Sequence, residues 1–260
     1  MLIGLVSAKA SPGVTTTALA LSATQLSGSS DRLRVFCEFD PSGGDVECWT
    51  GRSDESGLLR LVGDLRRTTE SDTLLAHAVD TPPQVRSILA PAGRREAAPT
   101  VDASTNLGLG AVWRAADAVV LLDAGRWSPD QPAERRLEGS EVLAVVCSPT
   151  VAGVQHASVL VDDLQARFDV PVVLVLVGAG SYASEEIAST VGVPVAGLVA
   201  WDPRGVRILL SSGATRLWSR TALARSAGGL LDRFLVLAGA PGASDARFKE
   251  SGDESVVSRG

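Results

Sequence analysis

Ser7-Ala8-Lys9-Ala10-Ser11-Pro12-Gly13-Val14-Thr15-Thr16-Thr17 joins the apolar segment Leu2–Val6 to a second apolar run that begins Ala18-Leu19-Ala20-Leu21. The first segment reads as a buried strand and the second as the first turns of a helix. A strand, a loop of small residues and a helix start make a phosphate-binding geometry. The loop N–H groups and the helix N-terminus converge on one spot and favour an anion there. Threonines at the helix start are expected to cap it, and one can offer a hydroxyl to Mg²⁺. The standard phosphate loop, G-x-x-x-x-G-K-[ST], fits only in part. Laid over Ala8 to Thr15 it agrees at Gly13 and Thr15, and Val14 stands where the lysine belongs.

Composition singles out Lys9. Of 24 basic residues only Lys9 and Lys249 are lysine; the rest are arginine. An ammonium on a flexible stem reaches a phosphate inside a crowded loop where a planar guanidinium fits badly. The same stretch also fits a plain strand-to-helix turn with a solvated lysine, and the loop alone leaves both readings open.

Two carboxylates lie further along. The apolar strand Leu33–Phe39 runs into Asp40-Pro41-Ser42-Gly43-Gly44-Asp45, and Ala118-Val119-Val120-Leu121-Leu122-Asp123-Ala124-Gly125 is a buried strand tipped by an acid. A carboxylate at the C-terminal end of a parallel strand faces the ligand crevice, where it orients water or metal. Asp40 also fits an Asp-Pro turn that simply ends a strand. Asp102 falls inside an expected helix, Arg94 to about Trp113, and is not read as a metal ligand.

Loop lysine, Asp40 and Asp123, in that order, resemble the deviant phosphate loop, switch aspartate and Walker B strand of the ParA/MinD family of P-loop ATPases. In that family the loop reads K-G-G-x-G-K-[ST]-T, with a signature lysine near its start. Here Lys9, Ala10, Ser11, Pro12, Gly13, Val14, Thr15 and Thr16 take those places, and Glu38-Phe39-Asp40 takes the place of D-x-D. Ala200-Trp201-Asp202-Pro203 resembles the family's turn beside the base, and Gly178-Ala179-Gly180 stands where relatives carry an adenine-reading Asn. The resemblance implies ATP and Mg²⁺ as ligands. Lys9 and the loop through Thr16 would hold the phosphates. Asp202 and Pro203 would lie near the base. Thr15, Asp40 and Asp123 would serve the metal, and Lys9 and Asp40 would serve hydrolysis. It also implies a homodimer formed on nucleotide binding that positions a cargo. The Lys-poor, Arg-, Ala- and Val-rich usage is similar to that of actinobacterial MinD-like proteins that accompany Tad pilus and secretion machines. The alternative is a degenerate P-loop scaffold that binds a protein partner with little or no ATP turnover.

Outside these motifs the chain reads as one α/β domain over residues 1–237, with about seven strands alternating with helices in a mostly parallel sheet covered on both faces. Residues 238–260 turn polar and Gly/Ser-rich and read as a disordered tail. The start lacks a basic segment of the secretory type, and no apolar run approaches the roughly 20 residues that span a bilayer. A cytoplasmic protein without membrane insertion is expected. Cys37, Cys48 and Cys147 lack metal-ligand spacing and read as free thiols. The arginines Arg204, Arg207, Arg216, Arg220 and Arg225 fit a DNA-holding face or an ordinary solvated one. The net charge of −6 favours the second.

Overall fold

The computed structural model describes residues 1–9, 13–24, 32–51, 57–68, 70, 75–127, 132–211 and 215–239. Ala10, Ser11 and Pro12 of the loop lie outside the described residues, as do Gly28–Ser30 and residues 240–260 of the expected tail.

Eight strands form one sheet in the order β3-β4-β2-β5-β1-β6-β7-β8. They are β1 (Leu2–Ser7), β2 (Leu33–Glu38), β3 (Val79–Thr81), β4 (Val85–Ile88), β5 (Ala118–Arg126), β6 (Val142–Cys147), β7 (Val172–Val177) and β8 (Val195–Val199). All pairings are parallel except β3 with β4. The expected α/β architecture is present with one more strand than the sequence suggests. β3 is a three-residue antiparallel edge, and its Val-Asp-Thr carries too short a pattern to be read.

The helices are α1 (Val14–Ser22), α2 (Val46–Thr50), α3 (Gly57–Leu65), α4 (Arg94–Asn106), α5 (Leu109–Ala115), α6 (Val151–Arg167), α7 (Ser184–Val191), α8 (Pro203–Leu209), α9 (Thr215–Trp218) and α10 (Ala222–Leu237). A 3-10 turn covers Pro132–Leu137. The single helix expected from Arg94 to Trp113 is divided, because Gly108 at φ 76° takes the left-handed conformation that glycine adopts without steric cost.

The alternation of side chains along each central strand builds two cores. Leu2, Val6, Val120, Leu122, Leu174 and Leu176 point to the face covered by α3 to α7. Ile3, Leu5, Val119, Leu121, Val173 and Val175 point to the face covered by α1 and α10. Strands buried on both sides read as unbroken apolar runs, which is why β5, β6 and β7 are plain in the sequence. By the same period of two, Asp123 follows Val119 and Leu121 onto the α1 face.

The C-terminal helices hang from one side chain. Asp202 caps α8 by accepting the Gly205 N–H at 2.8 Å, and its other oxygen accepts the N–H groups of Ala222 at 3.0 Å and Leu223 at 3.3 Å. These backbone bonds hold the carboxyl below its ordinary range. Asp202→Ala frees the first turns of two helices at once, and equilibrium urea unfolding at pH 7 is expected to show a loss of about 1–2 kcal/mol. A folded pKa below the unfolded one means that this contribution is present above about pH 4 and is lost at lower pH.

Candidate functional site

Strand order does what chain order hides. β2, β5 and β1 are neighbours in the sheet, so Asp40, Asp123 and the end of β1 that leads to Lys9 come side by side at its C-terminal edge. Register fixes this: Leu5 and Glu38 flank Asp123 on its two sides. The Phe39 N–H donates to the Asp123 carbonyl at 2.8 Å, and the Trp127 N–H to the Ser7 carbonyl at 2.8 Å.

Gly13 caps α1 at φ 92° with no side-chain cap bond. The threonine cap expected from sequence is therefore replaced by a glycine. The Thr15 hydroxyl instead lies on the side of the Asp123 carboxylate and favours its charged form. Asp123 is 2% exposed and accepts the Gly125 N–H at 3.0 Å. Burial pushes its carboxyl up to about 7, against the pull of the Thr15 hydroxyl. Lys9 is exposed, and the Ser7 hydroxyl donates to its carbonyl at 2.8 Å. Thr16 is half-buried. Val14, at the usual lysine position, is 6% exposed and packs in the apolar core under α1.

Asp40 rests on the backbone of Gly125. A Cβ on Gly125 would lie 2.0 Å from Asp40 Oδ2, and the φ of 64° there also disfavours a side chain. Asp40 Oδ1 accepts the Ser42 N–H at 2.7 Å. Burial raises its carboxyl, and the Arg136 guanidinium works in the opposite direction. Sequence reasoning missed Arg136. It is 2% exposed, and its Nη1 donates to the Ala124 carbonyl at 3.0 Å. Burial pulls it down to about 10, opposed first by Asp40, then by Asp102 and Asp123. An Arg-Arg pair in a Pro-flanked segment of an Arg-rich chain carries no signal that would single it out.

Glu38, at the first acid position of the D-x-D-like stretch, has a structural task. It is 1% exposed, with Oε1 accepting the Asp45 and Val46 N–H groups at 2.8 and 2.9 Å and Oε2 accepting that of Ala90 at 3.2 Å. It ties the Asp40–Asp45 loop to the end of β4. Its burial outweighs those bonds and pushes it up to about 8.

A second feature lies at the same sheet edge, beyond β6. Pro149, Gly178, Gly180, Tyr182, Leu198 and Trp201 are among the residues lining a cavity of about 410 Å³. Trp201 is 74% exposed and Tyr182 and Leu198 are also exposed. Asp202 and Pro203 adjoin this cavity, but the Asp202 carboxylate is engaged by backbone N–H groups. Among the described residues no group of three or more His, Cys, Asp and Glu forms a metal cage. The donor set Thr15, Asp123 and Asp40 fits Mg²⁺, which is commonly held by one or two carboxylates and completed by water and phosphate oxygens. Cys37 and Cys147 are buried free thiols and Cys48 is an exposed one. No helix among the described residues is long and apolar enough to cross a membrane.

Two measurements follow from the buried carboxyls. Glu38 and Asp123 stay protonated in the folded protein at pH values where the unfolded chain has released those protons. The contribution of these two groups to stability is therefore fully present below the ordinary carboxyl values near pH 4 and is lost as pH rises through 7 to 8. Chemical unfolding across this range is expected to show that decline, and Glu38→Gln to flatten it. Gly125→Ala is expected to lower stability by roughly 1–2 kcal/mol at pH 7 in the same assay, since alanine must adopt a left-handed backbone.

No protein-family model matches the chain, and no curated protein sequence matches it. Its fold is shared with solved structures. A ParA family ATPase from Chlorobium tepidum superposes with a TM-score of 0.69 at 19% identity, over 88% of this chain and 98% of that one. The septum site-determining protein MinD from Pyrococcus horikoshii, complexed with Mg-ADP, gives 0.67 at 18% identity, over 92% and 97%. MinD in the MinC:MinD cell division complex of Aquifex aeolicus gives 0.60 at 13%, over 90% and 95%. The chain has the α/β architecture of these P-loop ATPases, an eight-stranded, mostly parallel sheet flanked by helices.

Proposed function

We propose that this chain binds Mg-ATP at the edge of β2, β5 and β1 and acts as a nucleotide-dependent dimer switch that positions a cargo. The observation that carries this reading is the placement of the buried Asp123 carboxylate, directly across from Leu5 of β1, beside the start of α1 where Thr15 stands. It sets the helix start after the loop beside the acid at the tip of β5, the pairing that a phosphate-bound magnesium ion needs. Structural likeness to ATPases of the ParA and MinD type, one of them complexed with Mg-ADP, supports it.

In this reading the loop from Lys9 through Ala10, Ser11, Pro12, Gly13, Val14, Thr15 and Thr16 cradles the phosphates with its N–H groups. Lys9 supplies the loop's cation, aimed at phosphate across a homodimer interface. Thr15 and Asp123 hold Mg²⁺, which when bound offsets phosphate charge. Asp40 orients the attacking water and Thr16 touches a phosphate. The base lies toward the cavity beside Trp201. That cavity opens between β7 and β8, about 12 Å from β1 at roughly 4.8 Å per strand. Among the described residues its lining has no side-chain amide, so the ring is held by apolar contact, with Asp202 and Pro203 shaping the turn. The cargo is a protein machine, with a pilus or secretion apparatus or a partition complex as the candidates. DNA is the less favoured partner of the C-terminal arginines, and the protein works in the cytoplasm.

A second reading has its own observation. Val14 is buried in the core at the usual lysine position, so one phosphate contact is gone, and the chain would be a P-loop scaffold for a protein partner. Losing a charged hydrogen bond typically costs about 1.5–3 kcal/mol, roughly ten- to hundredfold in affinity. Isothermal calorimetry with Mg-ATP separates the two readings. The switch reading expects micromolar binding by the wild type, weakened at least tenfold by Lys9→Ala and by Thr15→Ala. Absence of binding at millimolar Mg-ATP would leave the scaffold reading.

A further inference from the structure

Arg136 has no role in either reading, yet it sits against the centre of the site. Its Nη1 is fixed on the Ala124 carbonyl at 3.0 Å. Ala124 lies between Asp123 and Gly125, and Gly125 is the residue on whose backbone the Asp40 carboxylate rests. One guanidinium is thereby anchored within a residue of both acids, with almost no solvent to screen it. Asp102, on α4, faces it as well. We propose that Arg136 is the resident counter-cation of the site, a positioning residue that holds Asp40 on Gly125 beside Asp123 until a divalent cation arrives with the nucleotide.

The physical need is plain. Two carboxylates at neighbouring strand tips, both largely out of water, repel each other and lose hydration. Something positive must face them in the ligand-free protein for Asp40 to stay in place. A planar guanidinium suits a site where one amino group is committed to a backbone carbonyl, because the rigid fork then fixes where the buried positive charge sits. Mg²⁺ and Arg136 then act on the same pair of acids, one always present and the other delivered. The part about Mg²⁺ rests on the nucleotide reading; the part about Asp40 does not.

A double-mutant cycle on the full chain tests it: Arg136→Met, Asp40→Asn and the two combined, followed by thermal unfolding without nucleotide. Removing one partner of a buried pair is expected to lower Tm by roughly 10 °C in Arg136→Met. Adding Asp40→Asn is expected to recover at least half of that loss, since the uncompensated charge has gone. A double variant as unstable as the sum of the singles would overturn the proposal and leave Arg136 as packing. If Arg136→Met does not fold, Arg136→Gln takes its place in the cycle, and Arg136→Lys, which keeps the charge, is expected to stay within a few degrees of wild type. Repeating the scans with Mg-ADP separates the two claims. A wild type that Mg-ADP stabilises and an Arg136→Met gap that then shrinks support the hand-over to metal. A gap that stays constant while the wild type responds refutes it. A wild type with no response refutes the nucleotide reading, and the cycle alone still decides whether Arg136 holds Asp40.

Discussion

The placement of the buried Asp123 carboxylate against the start of α1, where Thr15 stands, is the constraint on which the rest of this structure turns. It needs β1 and β5 to be neighbours, so that the helix after β1 starts beside the tip of β5. It needs Asp123 to fall on the α1 face, which the alternation of β5 supplies only in this register. It needs Gly13 in a left-handed conformation at the head of α1, which frees Thr15 from capping duty. A shift of one residue in β5 would turn Asp123 toward α3 to α7 and bring Ala124 to the α1 face.

The second layer of organisation is made of acids that bind backbone. Glu38 gathers three N–H groups and shapes the loop that carries Asp40, and Asp202 gathers three more and joins α8 to α10. An ionised carboxylate such as Asp202 that accepts several N–H groups makes a stiffer joint than a hydroxyl cap, because charge-assisted bonds are roughly twice as strong as neutral ones. The two joints differ in setting. Glu38 is enclosed and its proton is held up toward neutral pH, whereas Asp202 is near solvent and stays ionised. Acid and base limits of stability therefore come from different ends of the sheet.

Much of this was legible before any coordinates. The buried strand read up to Asp123 is present as β5, which runs three residues further, to Arg126. Asp40 and Asp123 come to the same edge as the end of β1 because parallel strands deliver their C-terminal residues to one edge, a rule that needs only strand type, whereas their standing side by side depends on the strand order. What was not legible depends on contacts between distant segments. The roles of Glu38 and Asp202 are set by which N–H groups the fold leaves over. Arg136 is distinguished from its neighbour Arg135 only by facing inward. The break at Gly108 and the edge strand β3 are local, but each rests on one or a few residues, too few for a period to register.

Charge at the site bears on which ligand it can take. In the proposed reading the loop contributes one cation, Lys9, and Val14 contributes none. Against these stand Asp40 and Asp123, with Asp45 adding to the negative field on both. Arg136 offsets part of that field from behind, on the side of Ala124. A triphosphate arriving alone would bring further negative charge to an edge already rich in it, with a single solvated lysine in return. A triphosphate arriving with a divalent cation meets two acids and a hydroxyl suited to that cation, and the loop N–H groups remain for the phosphates. In that reading a loop with valine at the usual lysine position places more of its selectivity on the metal, and Asp40 and Asp123 would be the part of the site that tells a metal-bound nucleotide from a free one.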